Sequence, residues 1–102
     1  HIITNGFYEV QHKKLGKSRL SSYFQTVTTS EDAGVKKPNK IIFEYALDLA
    51  KTNTSQSIMI GDNLEADVLG AKALGMEAIF FGQPGDYDGL QIQNLNQLKT
   101  LF

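Results

Sequence analysis

Along all 102 residues, apolar runs of strand length alternate with segments of helical length. This alternation argues for βαβ units and a parallel sheet. It predicts strands near 1–4, 26–29, 57–61, 77–81 and 90–93, and helices near 7–18, 38–52, 64–74 and 95–102. Pro38 suits the first turn of the second helix, where its absent N–H costs nothing, and Ile42, Ala46 and Leu49 follow at helical spacing. Leu64, Val68 and Ala71 form the apolar stripe of the third helix, and Gly75 suits the position just past its end. Ser30-Glu31-Asp32-Ala33-Gly34 and Gly82-Gln83-Pro84-Gly85-Asp86 read as loops. There is no internal repeat, low-complexity tract or linker, so the expectation is one α/β domain over residues 1–102.

In open α/β sheets, ligands bind at the carboxyl ends of the strands, so polar residues at the predicted strand tips are the candidates for chemistry. Thr4-Asn5-Gly6 offers a hydroxyl and free backbone N–H groups to an anion, although Thr4 or Asn5 could equally cap the first helix. Lys36-Lys37-Pro38 sets a cation at a helix start, where the dipole disfavours it; it is either held there for an anion or is an ordinary loop lysine. Gly61-Asp62-Asn63-Leu64-Glu65-Ala66-Asp67 follows the apolar run 57–60. Asp62 and Glu65 have the spacing of an N-cap and its returning partner, or else Asp62 and Asp67 serve a hard cation such as Mg²⁺. In a regular helix from Asn63 onward, five residues would turn the two aspartates roughly 140° apart. For both to face one site, residues 63–65 must be a loop or a distorted first turn.

Composition narrows the partners. The formal net charge is −1, and the one basic run, Lys13, Lys14, Lys17 and Arg19, has Glu9 a helical turn before it. Neither recruits a nucleic acid polymer or an anionic membrane. No apolar stretch is long enough to span a bilayer. With no cysteine, disulfides and thiolate metal sites are excluded, which agrees with a cytoplasmic location.

Taken together, Thr at a strand tip, Lys-Pro at a helix start and Gly-Asp with a second Asp at a later tip resemble the haloacid dehalogenase-like hydrolase superfamily. Its second, third and fourth motifs match Thr4, Lys37 and GDNLEAD. The strings Thr4-Asn5-Gly6-Phe7, residues 30–38 and Ile42-Phe43 resemble the phosphatase branch that includes pyrimidine 5′-nucleotidases and N-acylneuraminate-9-phosphatases. The resemblance implies a Rossmann-like three-layer αβα core with a parallel sheet, of which this chain is the C-terminal part, without its first central strand and without the cap. It implies a Mg²⁺-dependent phosphate monoester hydrolase, of nucleotidase or sugar-phosphatase type, acting on a small-molecule phosphate ester. Thr4 and the N–H groups of Asn5 and Gly6 would hold the phosphoryl group, and Lys37 would neutralise its charge. Asp62 would ligate Mg²⁺, and Asp67 would orient Lys37 or a metal-bound water.

One departure from the family pattern is larger than any match. The nucleophile motif, Asp-x-Asp after an apolar strand, does not occur; Asp86-Tyr87-Asp88 has the letters but sits in a turn-rich loop late in the chain. By resemblance the first of those aspartates would form an aspartyl-phosphate. Two strands flanking an absent one would also present unpaired edges that invite self-association. The competing readings are a non-catalytic phosphate or Mg²⁺ binding α/β module, a receiver-like domain, which would need acids at an early strand tip, and a dehalogenase, which generally lacks a Gly-Asp metal motif. Electrostatic stabilisers without a nucleophile predict that the isolated chain does not hydrolyse p-nitrophenyl phosphate with Mg²⁺; turnover above that of an Asp62→Ala control contradicts this.

Overall fold

The computed structural model describes residues 1–6, 21–82 and 87–101. The chain divides into two compact units, His1–Asn53 and Thr54–Phe102, and each carries its own parallel sheet. No described helix is long and apolar enough to cross a membrane.

In the first unit, β1 (Ile2–Thr4) pairs in parallel with β2 (Val27–Thr29), with Ile2 opposite Val27, Ile3 opposite Thr28 and Thr4 opposite Thr29. The helix expected over 7–18 and the basic run lie outside the described residues. After β2 the sequence reading expects a loop, but the chain forms the short helix α1 (Ser30–Ala33). Thr29 and Asp32 explain the difference. The Asp32 N–H donates to the Thr29 hydroxyl at 3.2 Å, and the Thr29 N–H donates to the Asp32 carboxylate at 3.0 Å. This reciprocal capping box satisfies donors that would otherwise favour open turn.

The helix expected from residue 38 begins later, as α2 (Lys40–Leu49). Asn39 is its cap, its side chain accepting the Ile41 N–H at 3.0 Å. Pro38 therefore stands before the cap, not in the first turn, and follows a cis Lys37–Pro38 peptide. Ile42, Phe43 and Ala46 form the buried face. Fully burying a side chain such as Phe43 contributes on the order of 1.5–3 kcal/mol. Leu49, expected on the same stripe, is 46% exposed, because the last turn runs past the covered part of that face.

In the second unit, β3 (Ile58–Gly61), β4 (Glu77–Phe81) and β5 (Gln91–Ile92) run parallel in that order. Ile58 to Gly61 face Glu77 to Phe80, and Phe80 and Phe81 face Gln91 and Ile92. The central strand carries three consecutive buried apolar residues, Ala78, Ile79 and Phe80, as a strand covered on both faces requires. Where a single helix over 64–74 is expected, the crossover begins as a π-helical turn, Leu64–Leu69, and continues as α3 (Gly70–Lys72). Val68 and Ala71 of the expected stripe are fully buried, whereas Leu64 is half-buried. After β5, a 3₁₀ turn (Leu95–Gln97) and α4 (Leu98–Leu101) occupy the region where one helix is expected. Residues 83–86 of the expected loop lie outside the described residues.

The same terminal motif closes a helix in each unit. The Gly75 N–H donates to Lys72 O at 2.9 Å and the Met76 N–H to Ala71 O at 3.1 Å, with Gly75 at φ +85°. In the first unit the Lys51 N–H donates to Asp48 O at 3.1 Å and the Thr52 N–H to Leu47 O at 3.0 Å, with Lys51 at φ +58°. A lysine thus holds a left-handed position that favours glycine. Relief of that strain, about 1–2 kcal/mol, exceeds the extra unfolded-state entropy of glycine, about 0.5–1 kcal/mol. Lys51→Gly is expected to stabilise the chain by about 0.5–1 kcal/mol in urea denaturation, and Gly75→Ala to destabilise it by about 1–2 kcal/mol; a loss of stability in the lysine variant contradicts this reading.

Candidate functional site

The tip of β1 is closed by its own polar residues. The Gly6 N–H donates to Thr4 Oγ1 at 3.1 Å, a turn that leaves the hydroxyl hydrogen of Thr4 for another acceptor. Asn5 reaches the loop before α2: the Lys37 N–H donates to Asn5 Oδ1 at 2.7 Å, and Asn5 Nδ2 donates to Lys37 O at 3.4 Å. Ser30 Oγ, at the start of α1, donates to Asn5 O at 3.1 Å. Lys37 is half-buried, and its ammonium donates to Ile3 O at 3.2 Å. It is therefore not a loose surface lysine; its charge is held on the last residues of β1. The structure brings Thr4, Asn5, Gly6 and Lys37 together within this unit, while Lys36 is exposed.

The tip of β3 is built differently. Asn63, not Asp62, caps the turn that follows, its side chain accepting the Ala66 N–H at 2.9 Å. Asp67, not Glu65, returns the bond, accepting the Asn63 N–H at 3.2 Å. The capping frame is shifted by one residue and widened by one. The wider turn shows in the backbone: Asn63 O accepts both the Asp67 N–H at 2.9 Å and the Val68 N–H at 3.4 Å, the second being an i→i+5 bond. The first turn after β3 is thus distorted, as the sequence reading requires for two acids five apart to serve one site, but Asp62 itself stands before the cap and outside that turn. Asp67 is buried, with 4% of its surface exposed, and Asp62 is exposed.

Gly61 explains why the carboxylate fits. A Cβ at this position would overlap the Asp67 carboxylate, so only glycine lets the acid lie against the end of β3. The second unit also holds a cation against an aromatic ring. Lys72 Nζ lies 5.7 Å from the centroid of the Tyr87 ring, and a hydrogen bond with that tyrosine holds its pKa above the usual lysine value.

Sequence reasoning misses three of these details. Asp62 has the conventional i,i+3 spacing to Glu65 and so displaces Asn63 as the expected cap, and no simple pattern announces a π turn. The Asn5 side chain and Ser30 act across 32 and 25 residues, beyond any local motif. The Thr29-x-x-Asp32 box, by contrast, is legible as a helix-start signature.

A family model described as haloacid dehalogenase-like hydrolase matches residues 1–81. The chain belongs to that family. Pyrimidine 5′-nucleotidase YjjG of Escherichia coli (strain K12) is 45% identical over 76 residues, covering 74% of this chain and 34% of that protein. The Bacillus subtilis protein YfnB, solved bound to magnesium, superimposes with a TM-score of 0.88 at 29% identity, covering 97% of this chain and 45% of that one. A 2-haloacid dehalogenase from Pseudomonas syringae pv. Tomato DC3000 gives a TM-score of 0.79 at 37% identity, covering 97% of this chain and 44% of that one. The Rossmann-like α/β fold with parallel sheets is thereby established, and the chain is part of a core domain, spanning between a third and a half of these relatives.

The packing of Asp67 on Gly61 predicts the effect of Gly61→Ala. Overpacking there is expected to cost about 1–3 kcal/mol in chemical denaturation. The cost is expected to shrink in an Asp67→Gly background, because the carboxylate and the Cβ that a side chain at 61 would meet are both gone. Equal costs in the two backgrounds contradict the contact.

Proposed function

We propose that the parent protein is a phosphomonoesterase, acting with Mg²⁺ on a small phosphate ester of nucleotide or sugar-phosphate type, and that residues 1–102 are the C-terminal part of its single core domain. The observation that carries this reading is Lys37, half-buried and held by its ammonium on Ile3 O at 3.2 Å, one residue before the Thr4 hydroxyl. A fixed cation beside a hydroxyl with a hydrogen to donate suits a dianionic phosphoryl group, because phosphoryl transfer is served chiefly by positioning and charge stabilisation. The nucleotidase named among the relatives supports a phosphate ester as the substrate class.

The acids at the β3 tip are compatible with Mg²⁺. No group of three or more His, Cys, Asp or Glu residues suited to a metal occurs among the described residues. Mg²⁺ commonly takes one or two carboxylates and fills its remaining positions with water and substrate oxygen. Asp62, exposed, would be the direct ligand. Asp67 already accepts the Asn63 N–H, so its part would be to fix the turn and, as the resemblance implies, to orient Lys37 or a metal-bound water. Mg²⁺, when bound, would polarise the phosphoryl oxygens and offset their charge.

In this reading Thr4 Oγ1 donates to a phosphoryl oxygen, the N–H of Asn5 contributes a second donor, and Lys37 neutralises charge. The Gly6 N–H joins them when the substrate replaces Thr4 Oγ1 as its acceptor. The covalent step belongs to an aspartate of the parent protein outside residues 1–102, as the resemblance implies. A dehalogenase is also among the structural relatives. An exposed aspartate directly after Gly61 favours the metal-assisted chemistry of a phosphatase over halide displacement, which needs no divalent cation.

Kinetics of the full-length protein with p-nitrophenyl phosphate and with 2-chloropropionate test the proposal. Phosphate release dependent on Mg²⁺ is expected, without chloride release. Asp62→Asn is expected to lower kcat/KM by about 100-fold or more and to weaken the Mg²⁺ dependence, since the amide keeps the shape and loses the charge. Lys37→Ala is expected to lower the rate similarly with Mg²⁺ affinity less affected. Halide release without phosphatase activity, or near-normal kinetics in both variants, contradicts the proposal.

A further inference from the structure

We infer that the side chain of Asn5 is a positioning residue for Lys37, clamping the lysine main chain so that its ammonium rests on β1, with Ser30 fixing Asn5 in turn. The role given to Lys37 rests on the phosphatase reading above; the clamp rests on the hydrogen bonds of the first unit alone.

An asparagine amide carries one acceptor and one donor arm, the same pair that a peptide group presents, and so it can pair with the N–H and C=O of one residue at once. Asn5 does so with Lys37: Oδ1 accepts the N–H at 2.7 Å and Nδ2 donates to the C=O at 3.4 Å. The first bond is short and carries most of the hold. A lysine ammonium sits on a flexible four-carbon stem, so where it comes to rest depends on where its Cα is anchored. Here the anchored Cα puts Nζ 3.2 Å from Ile3 O, two residues before Asn5 itself. The clamp and the ammonium contact therefore act on the same strand end.

Asn5 is in turn fixed from a third segment. Ser30 Oγ donates to Asn5 O at 3.1 Å, and Ser30 is the first residue of α1, directly after the Thr29 cap. A chain of hydrogen bonds thus runs from the start of α1 through the β1 tip to the loop before α2. Within that loop the Asn39 N–H donates to Lys36 O at 2.9 Å, which shapes the turn but does not tie it to β1. The Asn5 amide ties the main chain of that loop to the end of β1. Its contribution to an anion site would be through lysine placement, an effect separate from the backbone N–H of Asn5.

Two measurements on the full-length protein test the inference. In hydrogen–deuterium exchange followed by NMR, Asn5→Ala is expected to speed exchange of the Lys37 amide by at least about tenfold, while the Gly34 amide, bonded to Ser30 O at 2.9 Å, stays unchanged as a control for folding. Asn5→Asp keeps the acceptor for the Lys37 N–H and is expected to retain the protection. In a double-mutant cycle on kcat/KM for p-nitrophenyl phosphate with Mg²⁺, Asn5→Ala alone is expected to cost about 10–100-fold, the scale of a misplaced catalytic group. Combined with Lys37→Ala it is expected to add less than about threefold, because the residue acts through the lysine.

Unchanged Lys37 exchange in Asn5→Ala, or losses that multiply in the double variant, overturn the inference while leaving the phosphatase reading intact. Absence of phosphatase activity in the wild-type protein overturns that reading, and the exchange measurement then decides the clamp by itself.

Discussion

The carboxylate of Asp67 occupies the space that a side chain at Gly61 would need, and the turn that follows β3 is built around that contact. A buried carboxylate must be hydrogen-bonded, and the Asn63 N–H is a donor within reach. The bond goes with a first turn of the crossover widened into a π turn, with Asn63 O shared between the Asp67 and Val68 N–H groups. Asn63 then becomes the cap, and Asp62 is released from capping duty to stand exposed at the end of β3. π turns recur at functional sites, where a helix yields regularity to place a side chain. Here the side chain so placed is that of Asp67, buried against Gly61.

The first unit reaches a related result with neutral groups. Its strand tip is held by the Asn5 amide, the Thr4 hydroxyl and the Ser30 hydroxyl, and the charge it fixes is the ammonium of Lys37. In both units the charged group proposed to face a ligand differs from the groups that build the turn. Asn63 and Asp67 build one turn and leave Asp62 exposed; Asn5 and Ser30 brace the other and fix Lys37.

Much of this is legible in the sequence, because its signals are periodic or local. The five strands stand where the apolar runs place them, and their parallel pairing follows from the alternation with helical segments. Gly75 ends its helix as expected, since a left-handed residue favours glycine. Lys51 shows the limit of that rule: it adopts the same conformation with nothing in its side chain to announce it. The preference of proline for a first turn puts Pro38 inside a helix that begins only after Asn39, because the capping strength of that asparagine wins. The loop expected over 30–34 contains α1, whose Thr29–Asp32 signature lies in plain view between turn-forming residues. The bonds that shape the β1 tip join residues far apart in the chain, and no local pattern reports them.

Thr4, Asn5, Gly6, Lys37, Asp62 and Asp67 stand out by resemblance and by position at strand tips, and the environments of the charged ones give each a distinct physical character. Lys37 is anchored, Asp67 is committed to its turn, and Asp62 is exposed. A crystal structure of the full-length protein grown with Mg²⁺ and orthovanadate tests the central claim most directly. The account predicts vanadate oxygens within about 3.2 Å of both Thr4 Oγ1 and Lys37 Nζ, and a carboxylate oxygen of Asp62 about 2.0–2.1 Å from the ion. Vanadate bound away from Thr4 and Lys37, with Asp62 off the metal, would contradict it.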